Sequence, residues 1–300
     1  MTLDAATQQT EPQPSETAVA TAFLRALAAR DEREEVRGPD TLAEIFLPED
    51  AKRPLTDPAA RAWVLRNNLT PGTYEFMMAR TAFFDRIVAE TLQDNVAQVV
   101  FLGAGYDSRT YRFRHLIRDT RIFELDTRPT QERKKKLLRQ ASIPLPEQLT
   151  FVPIDFDDGD LKDTLVKAGF TPHQETVYVW EGVTYYLSAE VVGGTLRFIR
   201  ENSAPRSALA FDYASLSRQA LDDGSVQQLR EHIRSAYTSE PARFGIREGE
   251  LEGFLAQRGY AIIEHLTPAE IERKYLVQRD GSSAGKVPPL LCLVHAALSG

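Results

Sequence analysis

The sequence predicts an α/β protein: a Rossmann-like, seven-stranded, mostly parallel sheet with helices on both faces, an N-terminal helical cap and a helical lid insertion. Three observations carry this. Val99–Leu102 is a continuous apolar run, as expected of a strand covered on both faces, and it breaks at Gly103-Ala104-Gly105, where the backbone can turn tightly. Strand-like runs then alternate with segments of helical period. Finally, four of those runs end directly on an acid, at Asp126, Asp155, Glu181 and Asp212. In a parallel sheet all strand C-termini meet along one edge, where ligands bind, so this edge is the predicted cleft. A glycine turn after one strand and a carboxylate at the tip of the next is the pattern that holds the ribose of a nucleotide-like cofactor. Glu124 stands two residues before Asp126 and shares its side of the strand, so either could hold the ribose hydroxyls.

Residues 1 to about 15 are rich in Gln, Thr, Pro and Glu and predict a flexible arm. The remainder, 16–300, reads as one domain: N-terminal helices over 16–95, a cofactor-binding core over 96–212, a lid or substrate insertion over 213–249 and C-terminal strands over 250–300. Val19, Ala22, Phe23, Ala26 and Leu27 recur at helical spacing, with Arg25 on or beyond the polar side. This first helix is either a cap or an arm to a second subunit, which would make a homo-oligomer. A short helix and a proline-punctuated loop follow over Asp40–Pro58, then a long helical block over Tyr74–Leu92 that carries Arg80.

The predicted core runs through strand Val99–Leu102, a helix over 106–118, strand Arg121–Leu125 and helix Gln131–Gln140. Lys134, Lys135 and Lys136 in that last helix spread around its axis and read as solvated. Strand Leu149–Ile154, helix Leu161–Lys167, strand Thr176–Trp180, a helix opened by Ser188 and Glu190, and strand Ala208–Phe211 come next. The segment Tyr213–Gly249 is long, polar and mostly helical in pattern, as a substrate wall beside strand ends would be. Glu250–Arg258 reads as a helix, and Ala261–Glu264 and Leu290–Ala297 as the last strands.

Composition narrows the chemistry. A net charge of −7 over 300 residues argues against nucleic acid as a main partner. Cys292 is the sole cysteine and lies in an apolar run, which excludes a disulfide framework or cysteine zinc site and predicts a buried thiol. The five histidines show no metal-like pairing, so no metal site is expected, and His295 reads as a core residue. Neither a secretory signal nor an apolar run of about 20 residues is visible, which predicts a cytoplasmic chain with no membrane partner. Gly281–Lys286 falls short of a phosphate loop and reads as an ordinary flexible loop.

The ordered segments ARTAFFD (Ala79–Asp85), VVFLGAGYDSRTYRF, FELDTRPTQERK, VPIDF and VWEGVTYYL resemble the leucine carboxyl methyltransferase family of class I S-adenosylmethionine-dependent methyltransferases, which includes bacterial enzymes of secondary metabolism. The resemblance runs from about Asp40 to Leu187. It implies S-adenosyl-L-methionine as cofactor, with Arg80 at its carboxylate, Gly103, Ala104 and Gly105 along its backbone, and Asp126 on the ribose. By the same resemblance Asp155 and Phe156 bracket the adenine and Glu181 lies near the amino group. Phe156 stands where the family commonly has leucine, and Ser108 where it usually has threonine.

The implied reaction is methylation of a small molecule, O-methylation of a carboxyl or hydroxyl group ahead of N- or C-methylation. Tyr185 and Tyr186 are candidates for the acceptor wall or, equally, core aromatics. Two other classes fit parts of the pattern. A nicotinamide-dependent oxidoreductase would use Gly103-x-Gly105 with Asp126 about 20 residues on, but Ser108 occupies the third glycine position and no Tyr-x-x-x-Lys pair is present. A catalytically silent binding subunit would keep the cofactor fold alone.

Overall fold

A computed structural model describes residues 15–156, 160–216 and 243–299. The N-terminal part holds helices α1 (Glu16–Ala28), α2 (Arg53–Thr56), α3 (Pro58–Asn67) and α4 (Thr73–Gln93). The alternating part follows: β1 (Gln98–Leu102), α5 (Arg109–Arg112), β2 (Arg121–Asp126), α6 (Arg128–Gln140), β3 (Leu149–Pro153), α7 (Leu161–Lys167), β4 (Thr176–Trp180), α8 (Ala189–Asn202) and β5 (Ala208–Leu216). The chain closes with β6 (Ile246–Arg247), α9 (Leu251–Ala256), β7 (Tyr260–Leu266), α10 (Pro268–Tyr275) and β8 (Leu291–Leu298).

The sheet order is β3-β2-β1-β4-β5-β8-β7, with the two-residue β6 pairing on the end of β5. Strands β1 to β5 are mutually parallel, and β8 is antiparallel to both of its neighbours. The order reverses between β1 and β4, so a cleft is expected outside their C-terminal ends. The short β6 makes eight strands rather than the expected seven.

Period-2 alternation divides the core in two. Val99, Phe101, Ile122, Val177, Val179, Ala208 and Ala210 pack with α1, α4, α6 and α10. Their strand neighbours Val100, Leu102, Phe123, Leu125, Tyr178, Trp180, Leu209 and Phe211 pack with α7, α8 and α9. Helices on both faces therefore leave the strand ends as the place where polar groups can gather.

Four segments differ from expectation, the first being the helix expected over 106–118, which is only α5 and a separate 3-10 turn at Arg114–Leu116. Strand β5 continues past Asp212 to Leu216, because Asp212–Ala214 pair with Leu293–Leu291 of β8. The expected helical insertion thus begins and ends in extended chain, and 217–242 lie outside the described residues, as does most of the N-terminal arm. Helices α3 and α10 were not anticipated, although α10 opens with a capping box in which Thr267 and Glu270 satisfy each other's backbone N–H groups. Cys292 is buried as expected, whereas His295 is only half-buried on β8. Burial pushes the thiol up to about 11 and the imidazole down to about 4. No described helix is long and apolar enough to cross a membrane.

Candidate active site

A cavity of about 330 Å³ opens at the predicted strand edge. Its walls come from the ends of β1 (Leu102–Asp107), β2 (Asp126, Thr127) and β4 (Val179, Glu181, Gly182 and Val183), from Asp155 and Phe156 after β3, and from Tyr186, Leu187 and Arg243. Helix α1 adds Thr17, Ala18, Thr21 and Arg25, and α4 adds Arg80.

The glycine turn is shaped by close packing. Gly103 has φ +72°, and a Cβ built there would lie 2.5 Å from Val183 Cγ2. The Gly105 N–H donates to Asp126 Oδ2 at 2.7 Å, and the Thr127 N–H to Asp126 Oδ1 at 2.8 Å. Asp126 thus ties the turn after β1 to the tip of β2 and still borders the cavity. Burial pushes its carboxyl above the usual range, against the pull of those two N–H donors. Arg25 holds the same turn from the other side. Its Nη2 donates to the Tyr106 carbonyl at 2.6 Å, while Nε pairs with Asp40 at 2.9 Å. Arg25 is therefore buried rather than on the polar face of its helix, and α1 is a wall of its own chain's cavity.

At the β4 end, Arg80 and Glu181 meet with Nε and Oε1 2.9 Å apart, both nearly buried. Arg80 Nη1 also donates to Asp212 Oδ2 at 3.0 Å. Glu181 Oε2 accepts from Arg109 Nη1 at 2.6 Å, and Arg109 Nε donates to Asp85 at 2.7 Å. Burial opposes the charge on Arg109, but Asp107, Glu181 and Asp85 outweigh it and hold the guanidinium firmly protonated. The cavity thus has a side of buried, ion-paired guanidinium and carboxylate groups at the switch point.

Two expected site residues lie elsewhere. Glu124 does not line the cavity. Its carboxylate is 2.7 Å from Lys134 Nζ, accepts from Thr110 Oγ1 at 2.9 Å, and is sealed with its lysine inside the protein. β2 ends at Asp126, which clears the sheet edge, whereas Glu124 is still under α5 and α6. Lys134 is correspondingly buried and not solvated. Tyr185 and Tyr186 also part company. Tyr186 lines the cavity, while the buried Tyr185 donates its hydroxyl to Asp212 and meets Tyr186 edge-to-face at 5.6 Å. Gly103, Ala104, Gly105, Asp126, Asp155, Phe156, Glu181 and Arg80 all come together around the one space.

This topology, with a carboxylate-ringed cavity at its switch point, defines the class: an α/β protein with a ligand cleft at the C-terminal edge of its parallel strands. Within that class the chain belongs to the leucine carboxyl methyltransferase family, whose profile matches residues 18–200. The protein YktD of Bacillus subtilis, described as a candidate S-adenosyl-L-methionine-dependent methyltransferase, is 30% identical over 78% of this chain and 76% of its own length. FRAAL3718 of Frankia alni carries the same description and is 34% identical over 64% of this chain and 66% of its own. In fold, the chain is similar to the crystal structure of a DUF574 family protein from Streptomyces avermitilis, with a TM-score of 0.55, 15% identity and coverage of 93% and 97% of the two chains.

Proposed function

We propose that the protein transfers the methyl group of S-adenosyl-L-methionine to a carboxyl or hydroxyl oxygen of a small molecule. The observation that carries the donor assignment is the convergence of Gly103–Gly105, Asp126, Asp155 and Glu181 on one cavity. The set fits the donor. Asp126, short of solvent and above its usual pKa, gains from the two ribose hydroxyls as hydrogen-bond donors. Asp155 and Phe156 would flank the adenine, and the glycine turn would let the ligand approach the backbone of β1. Glu181 and Arg80 would meet the ammonium and carboxylate of the amino-acid end. A pyrophosphate would face these carboxylates instead of a bare nest of N–H groups, which disfavours a dinucleotide.

When bound, S-adenosyl-L-methionine supplies a methyl group already activated by its sulfonium. The protein's part is then to align the acceptor in line with that methyl and to exclude water. Among the described residues no histidine lines the cavity, which suits an acceptor oxygen that is ionised by itself; a carboxylate with a pKa near ~4 needs no general base at neutral pH. Tyr186 and Leu187 would form the acceptor wall. The setting we propose, bacterial secondary metabolism, rests on the family resemblance.

Calorimetric titration tests the donor. S-adenosylhomocysteine should bind and NADH should not; binding of NADH alone refutes the reading. Release of S-adenosylhomocysteine with a panel of carboxylic acids, phenols and amines then tests the acceptor atom, and turnover confined to amines would replace O- by N-methylation.

A further inference from the structure

We propose that Asp212 is a positioning residue for the donor's amino-acid end, acting through Arg80 and the Gly182 turn. The inference rests on the donor reading above and concerns a residue that is not itself in the cavity wall. Asp212 is fully buried in the middle of β5, where an ionised carboxylate is costly unless its oxygens are well partnered.

Two of its partners, Arg80 and Gly182, line the cavity, and the others, Thr184 and Tyr185, belong to the turn beside it. Oδ2 accepts from Arg80 Nη1 at 3.0 Å and from the Tyr185 hydroxyl. Oδ1 accepts from the Gly182 N–H at 2.7 Å, and the Asp212 carbonyl takes the Thr184 hydroxyl at 2.6 Å. One residue thus holds the guanidinium, the turn that follows Glu181, and the short helical turn Thr184–Tyr186 that brings Tyr186 to the cavity. The fit between turn and guanidinium is close: Gly182 has φ +71°, and a Cβ there would stand 3.2 Å from Arg80 Nη1. Arg80 is fixed on a second edge by Glu181 and lines the cavity from that fixed position. Asp212 therefore sets where a cation meets the ligand without touching the ligand.

The substitution Asp212→Asn isolates this role. Its amide oxygen can still accept from Gly182, but its amino group then faces Arg80 and the Tyr185 hydroxyl, so the guanidinium loses one anchoring carboxylate. Two probes separate positioning from general damage: S-adenosylhomocysteine, and 5′-methylthioadenosine, which keeps adenine, ribose and sulfur but lacks the amino-acid chain. By calorimetry, D212N should weaken S-adenosylhomocysteine by about tenfold or more while 5′-methylthioadenosine stays within about threefold of wild type. Equal losses for both probes, or no loss for either, would overturn the proposal. Failure of the wild type to bind S-adenosylhomocysteine would instead remove the donor reading on which it stands. If D212N does not fold, Tyr185→Phe removes one hydroxyl from the same carboxylate. A loss of about threefold or more, confined to S-adenosylhomocysteine, supports the role, and a loss shared by both probes or no loss at all refutes it.

Discussion

Replacing Asp126 with asparagine should separate binding from stability, because the residue does two jobs with the same two oxygens. Those oxygens accept from the N–H groups of Gly105 and Thr127. On the donor reading, their remaining lone pairs accept from the ribose. Asparagine has one acceptor oxygen, so one backbone N–H loses its partner, at about 1 kcal/mol. That cost is offset by removal of a poorly solvated charge. The sign follows from linkage. Asp126 has its folded pKa above the ordinary value of 3.8, so its favourable contribution is present below that value and is lost as pH rises through the raised one. At neutral pH the asparagine variant escapes this loss, and its unfolding free energy should lie within about 1 kcal/mol of wild type. Binding has no such offset. A charge-assisted bond to a ribose hydroxyl becomes a neutral one, which costs about 1–2 kcal/mol, or roughly 5- to 30-fold in Kd. Titration calorimetry with S-adenosylhomocysteine at neutral pH, beside urea denaturation, measures both. A Kd within about twofold of wild type would refute the ribose assignment.

The pair Glu124–Lys134 makes a second test. Lys134→Met strands a buried carboxylate and should cost about 3–5 kcal/mol. Burial already raises the Glu124 pKa against the pull of Lys134, so without the lysine the loss should shrink at acid pH, where a proton neutralises the carboxyl, and grow as pH rises; a pH-independent loss in urea denaturation contradicts this. Gly103→Ala should cost about 1–2 kcal/mol for its left-handed backbone, plus displacement of Val183, and a Val183→Ala partner change should restore only the steric part; full recovery in thermal melts would show that backbone strain is absent. Tyr186→Phe should change acceptor turnover and leave S-adenosylhomocysteine affinity within about twofold, and the reverse result takes Tyr186 out of the acceptor wall.

The legible parts of the fold were those written in local pattern. Val99–Leu102, Arg121–Leu125 and Thr176–Trp180 are short apolar runs that stop at glycine or an acid, and all three are strands of the parallel core. The acids after β2, β3 and β4 gather because strand C-termini share an edge, so Asp126, Asp155 and Glu181 are placed together by the sequence pattern alone. What stayed hidden depends on partners distant in sequence. Lys134 belongs to a buried stripe with Thr130, Gln131 and Leu138 at helical spacing, but that stripe is mostly polar and hydropathy does not reveal it. Glu124 looked equivalent to Asp126 because alternation gives a side of the strand and not the depth under a helix. Arg25 lies between Leu24 and Ala26, both core residues, and its target is the carbonyl of Tyr106. The extension of β5 past Asp212 follows from pairing with β8, a strand some 80 residues later in the chain. The capping box that opens α10 was, by contrast, readable from Thr267-Pro-Ala-Glu270.

The span of the Arg80–Asp212 pair, 132 residues, has a consequence for how the protein is made. Domains begin to organise while the chain is still emerging from the ribosome, N-terminal part first. Here α1 and α4 emerge with Arg25 and Arg80 in place, yet Arg25 waits 81 residues for the Tyr106 carbonyl and Arg80 waits longer still for its second carboxylate. No nascent chain that ends before β5 can own a finished pocket, however well its first strands have paired. A pulse of labelled S-adenosylhomocysteine captured on stalled chains of increasing length would therefore act as a clock for synthesis, reaching full affinity only after Asp212 and the later cavity residue Arg243 have left the exit tunnel.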